Sequence, residues 1–346
     1  MRDDELVDLE DASPEGLMDA FESRGWGDGL PLVPPTEERV KAMLATTDGD
    51  ADEVLATLPP RQGEATRRTV AVNAVLAGCR PEWMPVVLTA VRALGHPELN
   101  LRGVNATTHP VAPLVIVHGA AVDELGFNAG LGAFGPGNRA NASVGRAVRF
   151  VLLHVAGARP DEKTDASTQG QPSKYTYCIG ENEAASPWDS YPRTVAVDAP
   201  SAVTVFGGEG PHNVHDMESD EPARLLDKAA SAIASLGSNN ACIGQGEVFV
   251  VLCPEHAATI AGAGWARRDV QSYLYETARL PARVLRAAFD IVAWPPWMEA
   301  AADDRLLPMT EHPGNYRVLV AGGAGKHSCV IPSWGMTRSV TLPLAG

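Results

Sequence analysis

Four short apolar runs constrain the fold of this chain more than any other feature. Leu114-Val115-Ile116-Val117 leads into His118, and Ala202-Val203-Thr204-Val205-Phe206 leads through a glycine-rich turn to His212. Val248-Phe249-Val250-Val251-Leu252 leads into Cys253-Pro254-Glu255-His256, and Arg317-Val318-Leu319-Val320 leads through Gly322-Gly323-Ala324-Gly325 to His327. Continuous Val/Ile/Leu runs of this length, without polar alternation, read as strands buried on both faces. Between them lie helical stretches: Met84, Val87, Leu88, Val91 and Leu94 recur at helical spacing and form one apolar stripe. Strands alternating with helices imply an α/β fold with mixed or parallel sheets. Ligands in such folds bind where strand ends and their loops converge, so four histidines just beyond four strands are candidate site residues.

The surroundings of two runs repeat. Ala90-Val91-Arg92-Ala93-Leu94-Gly95 precedes the first run, and Ala232-Ile233-Ala234-Ser235-Leu236-Gly237 precedes the third. Both runs continue into alanine-rich helical stretches, 120–125 and 257–263. This predicts a pseudo-duplicated helix–strand–helix core. The expected organisation is an N-terminal helical arm over residues 1–60 and a core over 61–346. Within the core, similar halves at 61–165 and 195–346 are joined by a segment, 166–194, that carries chemistry. In the arm, Ser13-Pro14 reads as a helix start, Gly25 to Pro35 as turns and extended chain, and Thr36 as a second helix cap. An arm of this kind wraps its own core or a neighbouring subunit, and a homo-oligomer is expected.

Charge and cysteine usage narrow the partners. A net charge of −15 argues against nucleic acid and against an anionic membrane surface. The first residues, Met1-Arg2-Asp3-Asp4-Glu5, are acidic with no apolar signal region, and no apolar run approaches the roughly 20 residues that span a bilayer. The five cysteines are widely spaced, which fits reduced thiols and a cytoplasmic setting.

Reactive side chains concentrate between Ser167 and Trp188, where Lys174, Tyr175, Tyr177, Cys178, Glu181 and Glu183 crowd one short segment. Cys178 is the expected nucleophile, Lys174 a nearby cation that would favour its thiolate, and Glu181 a general acid or base. His109, in Asn105-Ala106-Thr107-Thr108-His109-Pro110, is a further catalytic candidate at the opposite end of the first strand from His118. The loop Gly130–Gly137 contains a formal GxGxxG and opens a helix. With Asn138, Arg139 and Arg146 it forms a candidate anion site, and Tyr175 joins the substrate-binding set. No strand directly precedes the glycines and no acid closes a second strand, which argues against a dinucleotide. His212 and His215, three apart and flanked by acids, are the candidate ligands for a divalent transition metal such as Zn, Fe or Mn. The run before Lys326-His327-Ser328 resembles a phosphate loop but lacks its first glycine and its Ser/Thr.

The runs Asn105–Ala112, Phe134–Ala147 and Thr168–Trp188 resemble those of a family of uncharacterised bacterial proteins. The resemblance implies no reaction, cofactor or site residue. The residues themselves lead to an enzyme that acts on a small polar, anionic metabolite by hydrolase- or lyase-type chemistry, with a Cys/His/carboxylate site that a metal could assist. The alternatives are a thiol-based oxidoreductase using Cys178, with Cys253 or Cys329 as its partner, and a non-catalytic small-molecule binding protein.

Overall fold

In the computed structural model, which describes residue 11 and residues 13–161, 163–243, 246–289 and 293–344, two four-stranded sheets lie face to face with helices on their outer sides. The arm contributes α1 (Pro14–Ser23) and α2 (Glu37–Leu44), and the side chains of Ser13 and Thr36 cap them as expected. The acidic segment Met1–Glu5 lies outside the described residues. A hairpin of β1 (Val54–Leu58) and β2 (Gly63–Thr66) follows. Then come α3 (Arg67–Leu76), α4 (Met84–Leu94), α5 (Leu101–Ala106), β3 (Ala112–Gly119), α6 (Ala121–Glu124), α7 (Arg139–His154), β4 (Cys178–Gly180), α8 (Tyr191–Thr194) and β5 (Ser201–Gly208). The remainder is β6 (His212–His215), α9 (Pro222–Ile233), α10 (Asn239–Ile243), β7 (Val248–Leu252), α11 (Pro254–Gly262), α12 (Arg267–Thr277), β8 (Arg279–Pro281), α13 (Ala282–Ala288), α14 (Pro296–Glu299), β9 (Leu306–Pro308), β10 (Tyr316–Val320), β11 (His327–Pro332) and β12 (Val340–Pro343).

All four expected runs are strands: β3, β5, β7 and β10. The first sheet has the order β12-β5-β3-β4 and the second β10-β7-β11-β6, and both mix parallel and antiparallel pairs. Period-two alternation splits each strand between two cores. Leu114 and Ile116 of β3, Phe206 of β5, Phe249 and Val251 of β7, Leu319 of β10 and Ile331 of β11 meet in the layer between the sheets, where the Phe206 and Phe249 rings lie 4.5 Å apart. Their sequence neighbours face the helices. Val115, Val117, Val203 and Val205 pack against α3, α4 and α7, whereas Val250, Leu252, Val318 and Val330 pack against α9, α11 and α12. Strands buried on both faces need no polar alternation, which is why the runs are continuous in sequence.

The two sheets share one connection pattern. In each, a central strand (β3 or β7) pairs in parallel with the next sheet strand (β4 or β10) on one side and antiparallel with the one after it (β5 or β11) on the other. The edge strands are exchanged: β6 follows β5 yet pairs with β11, and β12 follows β11 yet pairs with β5. An isolated bridge between Gly208 and Ser333 marks where the two chain segments pass. Among the described residues no helix is long and apolar enough to cross a membrane.

Candidate functional site

The segment that follows α7 forms one wall of a cleft of about 660 Å³. Helix α7 ends where Gly157 turns the chain at φ +71, and the chain then carries Arg159 to the cleft wall. Asp165, with its carboxylate almost fully buried, accepts hydrogen bonds from Arg149 on α7 at 2.8 Å and from Lys174 at 2.8 and 3.0 Å. Burial alone would raise the Asp165 carboxyl, but Lys174 and Arg149 outweigh it and hold the group below its ordinary range. The Lys174 ammonium is pushed down by burial, against the pull of Asp165. Arg159 differs from its neighbours. Burial first, then Arg61 and Arg149, lower its proton affinity, and among the described residues no acid acts to raise it. Ser167 Oγ and Gln171 Oε1, also in the cleft wall, are buried without a hydrogen-bond partner. Tyr175 stands at the cleft with about half its surface exposed. The lining carries three cations (Arg149, Arg159, Lys174) and two acids (Asp28, Asp165), and Asp28 is already engaged by Arg146.

The remaining chemistry of the 167–188 segment goes elsewhere. Three-residue β4 alternates its side chains. Ile179 faces the layer between the sheets, and Cys178 faces the helical core beside Val115. Burial raises the Cys178 thiol strongly and Cys79 adds to the effect, and both oppose formation of a thiolate. The expectation of a Cys178 nucleophile with Lys174 beside it is therefore corrected, since Lys174 turns to Asp165 in the cleft. Glu181 leaves the end of β4 and meets His118 at the end of parallel β3, with Oε2 at 2.6 Å from Nδ1. His118 Nε2 lies 2.8 Å from Thr204 Oγ1, which lies 2.8 Å from Thr341 Oγ1. Both Glu181 oxygens accept from the Tyr191 N–H at 3.1 Å, and the Tyr191 ring stacks on His118. Glu183 accepts from the Gly119 N–H at 2.7 Å, and burial followed by the charge of Glu181 raises its carboxyl. Among the described residues, His118, Glu181 and Glu183 group their ligand atoms within 4.8 Å of one another, close enough to hold a metal ion. Both ring nitrogens of His118 are already hydrogen-bonded, so an entering cation would displace protein partners.

The other expected site residues are held by the protein itself. Asn138 caps α7 by accepting from the Asn141 N–H at 2.9 Å and donates to the Gly126 carbonyl. Arg139 donates twice to the Gly78 carbonyl and lies over the Trp83 ring. Arg146 grips Asp28 with two 2.7 Å bonds and reaches the carbonyls of Leu30 and Pro31, tying the arm to α7. All three side chains are thus engaged by the protein, and Asn138 also lines a pocket of about 500 Å³ with Asn128 and Gly137. His109 Nε2 is 2.9 Å from Glu209 Oε1, and its Nδ1 is buried without a partner. It sits behind the cleft wall: Gln171 donates to the Pro110 carbonyl, and the Thr168 N–H donates to that of Thr108 at 2.9 Å. His212 and His215 lie on β6, both exposed and both lining one pocket of about 810 Å³, but among the described residues they belong to no group of three metal-ligating side chains. His215 instead packs against His327, with ring centroids 4.9 Å apart.

The segment 174–183 therefore meets the loop at His118 but not a common site with 212, 256 and 327. Sequence reasoning missed Arg149, Arg159 and Asp165. Their one visible signal is the cluster of arginines at 146, 149 and 159 in an acidic chain. The chain matches no protein-family model, no curated protein and no solved structure.

Proposed function

We propose that the protein is an enzyme that binds a small anionic metabolite in the cleft beside α7 and acts on it by hydrolase- or lyase-type chemistry. The observation that carries this reading is Arg159, a half-buried cation with no acid set against it among the described residues, on the wall of a cleft of about 660 Å³ in a chain of net charge −15. The cleft falls within the roughly 300–1,000 Å³ of small-molecule sites. A carboxylate or phosphate supplies the missing counter-charge, and Ser167 Oγ and Gln171 Oε1 are free to fix its orientation. Lys174, whose ammonium burial destabilises against the pull of Asp165, is the acid–base group of this reading, with Asp165 holding the side chain in place. The group His118, Glu181 and Glu183, rather than His212 and His215, is where a metal would assist.

A screen of small carboxylates and phosphates by thermal shift, followed by NMR detection of turnover, tests the reading. Binding should be lost in Arg159→Met, and turnover should be lost in Lys174→Met with binding retained. A Lys174→Met variant that turns over its ligand at the native rate would remove the acid–base role, and a screen in which bound ligands are never converted would leave a binding protein.

A further inference from the structure

The sequence pairs His215 with His212, but the folded chain gives it a different partner. Strand β6 runs antiparallel to β11, and in that register His215 stands directly opposite His327, whereas His212 stands opposite Val330. The Asp216 N–H bonds the Lys326 carbonyl one residue beyond the His215–His327 pair. Backbone bonds in an antiparallel ladder alternate, so this pair is of the non-hydrogen-bonded kind, in which facing side chains come closest. The two ring centroids are 4.9 Å apart with their planes inclined by 41°. Both side chains are exposed, on the edge strand and its neighbour, and His215 lines the pocket of about 810 Å³.

The rings are prepared to act together. Asn213, two residues before His215 on β6, places Oδ1 2.8 Å from His327 Nδ1. A carbonyl oxygen only accepts, so the neutral ring carries its proton on Nδ1 and presents a bare lone pair at Nε2. A hydrogen bond through the second ring nitrogen is what fixes the tautomer and plane of a ligating imidazole. Among the described residues, neither ring nitrogen of His215 has a hydrogen-bond partner. The spacing is also suitable. With a metal–nitrogen bond of about 2.0–2.1 Å, an ion lies about 3.2 Å from the ring centre, and two rings at roughly 90–110° around it have centres about 4.5–5.2 Å apart. The observed 4.9 Å falls inside that range.

We propose that His215 and His327 together bind one divalent transition-metal ion of the imidazole-seeking class, Ni²⁺, Cu²⁺ or Zn²⁺, through His327 Nε2 and a ring nitrogen of His215. Among the described residues no third histidine, cysteine or carboxylate joins the pair. Water fills the remaining positions, so the ion is exchangeable and open to a further ligand, unlike the closed four-ligand centres that serve structure alone. The site belongs to the second sheet. It depends neither on the group at His118 in the first sheet nor on the cleft beside α7.

The intact, metal-free protein is titrated by calorimetry with Ni²⁺, Cu²⁺ and Zn²⁺, and with Mg²⁺ as a control. One ion should bind this site saturably, Cu²⁺ most tightly and Mg²⁺ not at all. His215→Ala and His327→Ala should each weaken binding at least about tenfold. The double variant should bind no more weakly than either single one, because a chelate is lost with its first ligand. Asn213→Ala should weaken binding less, and His212→Ala should leave it as it is. In the unaltered protein, Zn²⁺ should shield both His215 and His327 from diethylpyrocarbonate, mapped by peptide, while His212 reacts at its metal-free rate. The proposal is overturned if none of the three ions binds saturably, if either single variant keeps the native affinity, or if Zn²⁺ fails to shield both rings. The shielding readout needs no variant and decides the matter even if one does not fold.

Discussion

His118 and Cys253 occupy equivalent places in the two sheets. Each ends a central strand flanked by one parallel and one antiparallel neighbour, beneath the connection that crosses over it. The crossing chain answers each one differently. Over β3 it delivers Glu181 and Glu183 to an imidazole, and over β7 it is a glycine loop that ends in Ser328 beside a Cys–His pair.

The buried pair at His118 predicts a large asymmetry between substitutions. Glu181→Ala leaves His118 Nδ1 and the Tyr191 N–H without acceptors in a buried site, and unfolding by urea should show a loss of about 3–5 kcal/mol. Glu181→Gln keeps an acceptor oxygen and should cost clearly less. Equal losses for the two would mean that the carboxylate is not what pins the ends of β3 and β4 together.

Helix α7 approaches the cleft wall through a glycine. A Cβ on Gly145 would stand 2.5 Å from both Thr176 Oγ1 and the Tyr177 backbone nitrogen. Backbone cannot yield as a side chain does, so Gly145→Ala should destabilise by roughly 1–3 kcal/mol and displace the segment that carries Lys174 and Tyr175. A melting temperature unchanged from wild type would contradict this close packing.

His154 sets an acid limit on stability. Burial, with Arg159 adding, lowers its ring from 6.5 to about 3, and Asn73 Oδ1 lies 2.5 Å from Nδ1. The folded state disfavours the proton that the unfolded state accepts, so this contribution is complete above pH 6.5 and is lost as pH falls from 6.5 towards about 3. Urea titrations across that window should show a shallower pH dependence for His154→Gln, by about one proton. Identical slopes would show that His154 does not report the acid transition.

One ion pair ties the extended part of the arm to α7, beside the packing of Phe21, Val40 and Met43 in the helical core. Arg146→Met removes both bonds to Asp28 and those to the carbonyls of Leu30 and Pro31. Limited proteolysis should then cut within residues 24–36 several-fold faster while the core stays intact. Unchanged cleavage would place the arm's attachment elsewhere, for instance in the Phe21 and Trp26 packing.

The parts of the fold that could be read from the sequence are those with a local pattern. The four apolar runs became β3, β5, β7 and β10 because burial on both faces leaves an unbroken signature, and Ser13 and Thr36 capped their helices because capping is decided within three residues. Strand β4 has only three residues, and β6 is a polar edge strand exposed at His212, Asn213 and His215, so neither carries a period to find. The exchange of β6 and β12 between sheets rests on pairings more than 100 residues apart, such as Val330 with His212. The candidate site was half legible. The crowding at 167–188 marked a working segment, yet the alternation of a short strand sent Cys178 to one core and Lys174 to the cleft, and the partners Arg149, Arg159 and Asp165 come from a helix end and a loop with no shared spacing.

The most direct test of the account is calorimetric titration of the intact protein with inorganic phosphate and with small mono- and dicarboxylates, alongside Arg159→Met. The account predicts saturable binding of at least one such anion, weakened about tenfold to hundredfold by the loss of a charged hydrogen-bond donor. Equal affinity in the two proteins, or no saturable binding of any of these anions to the native one, would contradict it.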